Sequence, residues 1–327
     1  MAGPEAGSLR AVLVSRPRAV RLFVSGAASH AGKSTLCLSL LSAALDAGGH
    51  PRIDASELAY IKPATQDERA DALVRWCALR GVECVCGSNA PIVFYAGFTR
   101  AFLAGDAGTA NDWLGRAAAA VDAIAVDKSL VVIDGVGFPA VGSVVGCSNA
   151  AVARAVTAPV VIVCKSGVGG AIDSVDLCAT YFEAQRVPVL GTVLNDAPLE
   201  GFYSRDAVLT PLTHFFETHF ASTRRRLYGV VPRLADLAGL RDAAAAEAAE
   251  QTDADFDALV RRAAAHVAHH ADLAAIVASA AADPWNRVAP GPPRVAAAAA
   301  APDDAALRRR VEATSAAQGA QTGAKRA

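Results

Sequence analysis

The chain has 327 residues, enough for one large α/β domain with tails. Hydrophobic residues make up 53% of it, with alanine abundant among them, so a sizeable core is available. Its 31 basic and 32 acidic side chains leave a net charge of -1, which removes the electrostatic case for nucleic acid or an anionic membrane, and no apolar run approaches the length of a membrane span.

Residues 1–18 read as a flexible lead. Arg10, Arg16, Arg18 and Arg21 face only Glu5 on the acidic side, a pattern shared with short organellar signals. The first strand begins near Ala19, however, and leaves little to remove, so an untargeted cytoplasmic protein is expected. The seven cysteines are odd in number, and Cys37 and Cys164 sit in apolar runs, which points to reduced, buried thiols. Cys84-Val85-Cys86 is too closely spaced and too isolated for a zinc site.

The chain is organised around Gly26-Ala27-Ala28-Ser29-His30-Ala31-Gly32-Lys33-Ser34-Thr35. An apolar run rich in β-branched and aromatic residues, Ala19-Val20-Arg21-Leu22-Phe23-Val24-Ser25, precedes it, and Leu36-Cys37-Leu38-Ser39-Leu40-Leu41 follows. A strand, a Gly-rich turn and Gly-Lys-Ser-Thr opening a helix form the context of a P-loop. Backbone N–H groups of such a loop converge on a polyphosphate, so Ser29, His30, Ala31, Gly32, Lys33, Ser34 and Thr35 are the expected phosphate-binding residues. Lys33 brings a mobile positive charge to the terminal phosphates, and the Ser34 hydroxyl is a ligand for the accompanying Mg²⁺. The usual first glycine is replaced by Ala27, with Gly26 one residue earlier.

The helix from Lys33 to about Ala47 is apolar nearly all round and is expected to lie buried on the sheet, stopping at Gly48-Gly49. A second strand covers Leu58 to Ile61 and ends at Lys62-Pro63, because proline cannot donate to a ladder. A helix is expected from Asp67 to Arg80. The stretch from Pro91 to Gly97 is either an insertion or a short strand, and a short helix follows from Phe98 to Leu103. Asn111 or Asp112 is the expected cap of the alanine-rich helix that runs to about Val126. Leu130-Val131-Val132-Ile133 reads as a central parallel strand buried on both faces, and it ends in Asp134-Gly135-Val136-Gly137. Downstream of a P-loop, Asp134 has a Walker-B reading and holds Mg²⁺ directly or through water.

Further strands are expected from Pro159 to Cys164, from Val187 to Leu194 ending at Asn195, and from Leu227 to Pro232. Between the first two lies a helix with Ile172, Val175, Ala179 and Phe182 on one face, and a mixed helical region runs from Leu199 to Phe220. The alternation predicts a doubly wound α/β fold with a mostly parallel sheet, whose ligand crevice lies beyond the strands' carboxyl ends. Residues 254 to about 281 read as one last helix. His266 and His270 share a face of it, but no third ligand type lies nearby, so a solvated face is the better reading than a metal site. One domain is thus expected over 19–283, followed by a low-complexity disordered tail over 284–327.

Five pieces in order resemble dethiobiotin synthetase: the loop from Gly26 to Thr35, Tyr60-Ile61-Lys62-Pro63, Ile133-Asp134-Gly135-Val136-Gly137, Gly191-Thr192-Val193-Leu194-Asn195, and Tyr228-Gly229-Val230-Val231-Pro232-Arg233-Leu234. That family carboxylates a diamine with CO₂, phosphorylates the carbamate with ATP and closes a ring. The resemblance implies ATP and Mg²⁺ as cofactors, a small amine or carboxylate substrate and a homodimer. By position, Lys33 and Lys62 would gather around the transferring phosphoryl group, Ser34 and Asp134 would hold Mg²⁺, and Asn195, Val231 and Pro232 would face adenine. Asp71 is the best textual match to a further metal ligand, with Asp67 and Glu68 as alternatives. Arg100 is either an anion-binding substrate residue or a helix-surface charge.

The chain departs from that family at Ser29 and His30, where acidic turn residues are usual, at Asp134, where glutamate is usual, and at Ala64-Thr65-Gln66 after Lys-Pro. The same superfamily includes cobyric and cobyrinic acid amidoligases and the amino-terminal domain of some phosphotransacetylases, so a non-catalytic nucleotide-binding regulatory module stands beside the ligase reading. A partitioning-type ATPase is disfavoured because residues 26–31 contain no lysine.

Overall fold

The structure is a computed structural model and describes residues 9–13, 16, 18–45, 53–66, 72–221, 223, 225–234 and 252–287. In chain order it has α1 (Leu9–Leu13), β1 (Val20–Gly26), α2 (Lys33–Leu45), β2 (Leu58–Ile61), β3 (Ala64–Thr65), α3 (Ala72–Arg80), β4 (Glu83–Val85), β5 (Ile92–Val93), α4 (Phe98–Leu103) and α5 (Ala110–Ile124). There follow β6 (Leu130–Asp134), α6 (Asn149–Ala155), β7 (Val160–Lys165), α7 (Gly169–Ala184), β8 (Val189–Ala197), α8 (Arg205–His219), β9 (Arg226–Pro232), α9 (Asp253–His270) and α10 (Leu273–Ala282).

The continuous apolar strands make one seven-stranded sheet in the order β4-β2-β6-β1-β7-β8-β9. Every pairing in it is parallel. Such strands need apolar residues at every position because both faces are covered. Successive side chains point to opposite faces. Leu22, Val24, Leu58, Tyr60, Leu130 and Val132 join one core with α2, α3, α9 and α10. Phe23, Ala59, Ile61, Val131 and Ile133 join the opposite core with α5, α6 and α7. The chain is an α/β P-loop NTPase fold with β1 at the sheet's centre. β6 and β7, consecutive strands, flank β1 on opposite sides, so the crevice at the carboxyl end of β1 is the topological switch point. The segment 92–93, which the sequence left as an insertion or a strand, is β5, paired in parallel with β3 in a second, two-stranded sheet.

Several local expectations are corrected. Thr109, not Asn111 or Asp112, caps α5, and Asp112 returns the bond as the third residue of a capping box. The single last helix is two. α9 ends at His270, Ala271 forms a bridge with Gly229, and Asp272 donates its N–H to the Tyr228 carbonyl before capping α10. Gly229 is required there, since a Cβ would lie 2.1 Å from the His270 carbonyl oxygen.

At the ends of the domain, Leu9 and Leu13 fall within the stretch expected to be a flexible lead, yet both are buried in the α2 core. The turn Pro284–Asn286 falls within the expected tail, yet Asn286 is buried and exchanges hydrogen bonds of 2.9 Å with both the N–H and the carbonyl of Arg21. Among the described residues no helix is long and apolar enough to cross a membrane.

Candidate functional site

The loop between β1 and α2 owes its shape to two glycines and one strained residue. At Gly26 a Cβ would lie 2.7 Å from the Ala28 carbonyl oxygen and 2.9 Å from that of Gly137. The early glycine thus permits the close approach of loop and neighbouring turn. His30 has φ 57° and Gly32 φ 104°, so the backbone turns sharply before Lys33. The Ala27 N–H donates to the Val163 carbonyl on β7, and the Leu36 N–H donates to the Gly32 carbonyl to start α2. Ala28, Ser29 and His30 are exposed, Ala31 is buried, and Gly32 to Thr35 are half-buried. The open first turn of α2 presents its N–H groups to the crevice, which is the physical basis of anion binding at such a terminus.

On one flank, Ser34 and Asp134 come together as expected from the sequence. The Ser34 hydroxyl donates to Asp134 Oδ2 at 3.1 Å. The Tyr60 hydroxyl donates to the same oxygen at 2.9 Å. Asp134 is fully buried, and among the described residues its Oδ1 has no hydrogen-bond partner. A hydroxyl and a carboxylate oxygen with free lone pairs fit a hard divalent cation such as Mg²⁺, which takes oxygen ligands. Among the described residues no group of three or more His, Cys, Asp or Glu is placed to hold a metal by itself. A cation here would therefore need ligands from nucleotide and water besides these two. Asp71, Asp67 and Glu68 lie outside the described residues.

Lys62 stands at the same level. β2 pairs with β6 so that Ile61 aligns with Ile133, and Lys62 and Asp134 follow as the next residues. The Lys62 N–H donates to the Val85 carbonyl, and its side chain is half-buried.

The turn after Asp134 is held by a residue that the sequence reading missed. Asn149, buried at the start of α6, accepts from the Val136 N–H at 3.0 Å and donates to the carbonyls of Val136 at 2.7 Å and Phe138 at 2.9 Å. Its only signal in the sequence is a Ser148-Asn149 pair opening a helix, which reads as a cap, and Ser148 is indeed the cap.

On the other flank, Asn195 at the carboxyl end of β8 donates to the Ala31 carbonyl at 3.0 Å. A Cβ on Gly32 would lie 2.1 Å from Asn195 Nδ2, so the two residues are packed face to face. Asn195 is thus brought to the P-loop, with a partner there that the resemblance did not suggest. Asp196 has φ 62°, and its carboxylate is held in bidentate fashion by Arg233, Nε to Oδ1 at 2.7 Å and Nη2 to Oδ2 at 3.2 Å. The Arg233 pKa is raised by that hydrogen-bonded carboxylate.

Val231 does not present a side chain to the crevice. It is 2% exposed inside the α2 core because it points to that face of β9. Pro232 is half-buried, and its carbonyl oxygen lies 2.9 Å from His266 Nε2. His270 Nδ1 lies 2.9 Å from the His266 carbonyl, so these histidines bind backbone. Arg100 is exposed on α4.

Burial pushes the Cys147 thiol up to about 12 and those of Cys164 and Cys178 up to about 11. Thiols so protonated at neutral pH are poor nucleophiles.

The sequence model of a family described as an AAA domain matches residues 20–241, more than half of the chain. No curated protein matches. Similar solved structures include the signal recognition particle receptor FtsY from Elizabethkingia anophelis in complex with GDP, at 12% identity and a TM-score of 0.38, covering 72% of this chain and 69% of that one. They also include a nucleotide-binding protein from Archaeoglobus fulgidus in complex with ADP, at 17% identity and a TM-score of 0.37, covering 77% and 95%. The cell division protein FtsY from Thermotoga maritima has 16% identity and a TM-score of 0.39, covering 72% and 74%.

Proposed function

The chain belongs to the AAA domain family, with a P-loop nucleotide-binding fold, and on that premise we propose that it is a Mg-ATP-dependent ligase that phosphorylates a carboxylate or carbamate on a small molecule. The observation that carries the nucleotide part is the Ser34–Asp134 hydrogen bond at 3.1 Å, with the second Asp134 oxygen buried and, among the described residues, unpartnered. The ligase part rests on the ordered resemblance to dethiobiotin synthetase and on the register that sets Lys62 level with Asp134.

Each residue then has a task that its position supports. The first turn of α2 binds the phosphates through backbone N–H groups, and Lys33 neutralises the terminal charge. Ser34 and Asp134 would hold Mg²⁺. Lys62, from the neighbouring strand, offsets negative charge that spreads over the phosphoryl oxygens in the transition state, a role in which fixed cations are most effective. ATP bound there would supply the phosphoryl group that turns a carboxylate or carbamate oxygen into a leaving group, lost as inorganic phosphate when an amine nitrogen, giving up its proton to solvent, bonds to the carbon. The β8–β9 flank, beyond Asn195 and Pro232, is the side left for the nucleoside, since the metal pair occupies the other.

The test is phosphate release by the full chain with Mg-ATP, with 7,8-diaminopelargonic acid and bicarbonate added or omitted. Stimulation with formation of the ring product supports the reading and names the substrate. ATP binding with no stimulation by the diamine, or by a panel of other small amines and carboxylates, contradicts the ligase and leaves a nucleotide-binding module.

A further inference from the structure

We propose that Tyr60 is the positioning residue of the metal-binding carboxylate: its buried hydroxyl fixes Asp134 so that one carboxylate oxygen and the lone pairs of Ser34 are left for the cation. The proposal rests on the Mg-nucleotide reading above and adds a residue to it.

The geometry follows from strand register. Tyr60 pairs with Val132 across β2 and β6, and side chains alternate, so Tyr60 and Asp134 share the sheet face that carries α2. That face also brings Ser34, at the start of α2, onto Asp134. Tyr60 is fully buried, and phenylalanine would fill the same apolar space, so the hydroxyl is what distinguishes tyrosine here. It donates to Asp134 Oδ2 at 2.9 Å. Among the described residues, Oδ2 therefore receives two O–H donors, from Tyr60 and Ser34, while Oδ1 receives none.

The asymmetry has a chemical consequence. A serine hydroxyl has one proton, and here it is spent on Asp134, so the lone pairs of Ser34 Oγ are turned away from the carboxylate. An ionised carboxylate is an acceptor only, so a buried oxygen with no donor is costly unless a cation or a water meets it. Two donors on Oδ2 stop the carboxylate from rotating to relieve Oδ1. Tyr60 would thus act through Asp134 and touch neither metal nor phosphate, as residues behind metal ligands commonly do.

The experiment compares Tyr60→Phe with the unaltered full chain. Binding of a non-hydrolysable ATP analogue is measured calorimetrically across a series of free Mg²⁺ concentrations and in EDTA, with thermal unfolding recorded for both proteins. The expected result is a Mg²⁺ requirement shifted upward by about tenfold in Tyr60→Phe, with unchanged affinity in EDTA. A variant whose Mg²⁺ dependence equals that of the unaltered chain, whatever its melting temperature, overturns the proposal alone and leaves the hydroxyl a structural contact. Binding by the unaltered chain that ignores Mg²⁺ overturns the Mg-nucleotide reading and the proposal together.

Discussion

The two flanks of the P-loop are built differently. On the β6–β2 flank Tyr60, Asp134 and Asn149 are buried and Ser34 is half-buried, and hydrogen bonds tie them down: Ser34 and Tyr60 on Asp134, and Asn149 on the following turn. On the β8–β9 flank Asn195 reaches the loop with a hydrogen bond to the Ala31 carbonyl. Around it lie exposed groups: the Asp196–Arg233 pair is part-exposed, and Phe202 and Tyr203 after β8 are 79% and 52% exposed. A buried polar network in low dielectric is stiff and costly to disturb, whereas exposed pairs are screened and replaceable. Chemistry common to phosphoryl transfer is expected on the first flank and recognition particular to this chain on the second.

Substitutions sharpen that contrast. The largest expected effect is on turnover: Lys62→Ala should reduce it by about a hundredfold or more, the scale of losing one group that stabilises a transition state, while ATP affinity stays nearly unchanged. A protein that merely melts at lower temperature would make Lys62 structural. Lys33→Ala should weaken ATP binding roughly ten- to a hundredfold, since a charge-assisted bond is worth about 1.5–3 kcal/mol, and calorimetry reads this directly. Gly32→Ala forces a side chain into φ 104° and against Asn195, so unfolding should show a loss of about 1–3 kcal/mol together with weaker nucleotide binding.

Two smaller effects probe the other flank. Asn195→Ala removes one hydrogen bond to the loop, worth about 1 kcal/mol, and should weaken inorganic tripolyphosphate about fivefold as well as ATP. If only ATP weakens, Asn195 serves the base and not the loop. Arg233→Ala, in an exposed pair, should leave the melting temperature unchanged, and a clear drop would show that the second flank is stiffer than its exposure implies.

What was legible in the sequence follows the same division. β1, β2 and β6 could be read because strands buried on both faces are continuously apolar, and the places of Asp134 and Lys62 at their carboxyl ends because polar residues interrupt those runs. The pairing of Ser34 with Asp134 followed from motif chemistry alone. Tyr60 was visible only as part of a strand, since its partner depends on β2 lying beside β6 and not beside β1. Asn149 lies 13 residues from the turn it holds, and nothing local announces that contact. The break between α9 and α10 was hidden because His270-Ala271-Asp272-Leu273 is compatible with helix. The tertiary contact with Tyr228 and Gly229 ends α9 there. The inward side chain of Val231 was not legible, because a strand-end motif does not say which face a side chain takes.

The most direct test of the central claim, that Ser34 and Asp134 form the metal end of a nucleotide site, is calorimetric titration of ATP into the unaltered chain and into Asp134→Ala, each with Mg²⁺ and with EDTA. The account predicts that Mg²⁺ strengthens binding to the unaltered chain and has little effect on the variant. Equal strengthening of both proteins by Mg²⁺ would contradict it.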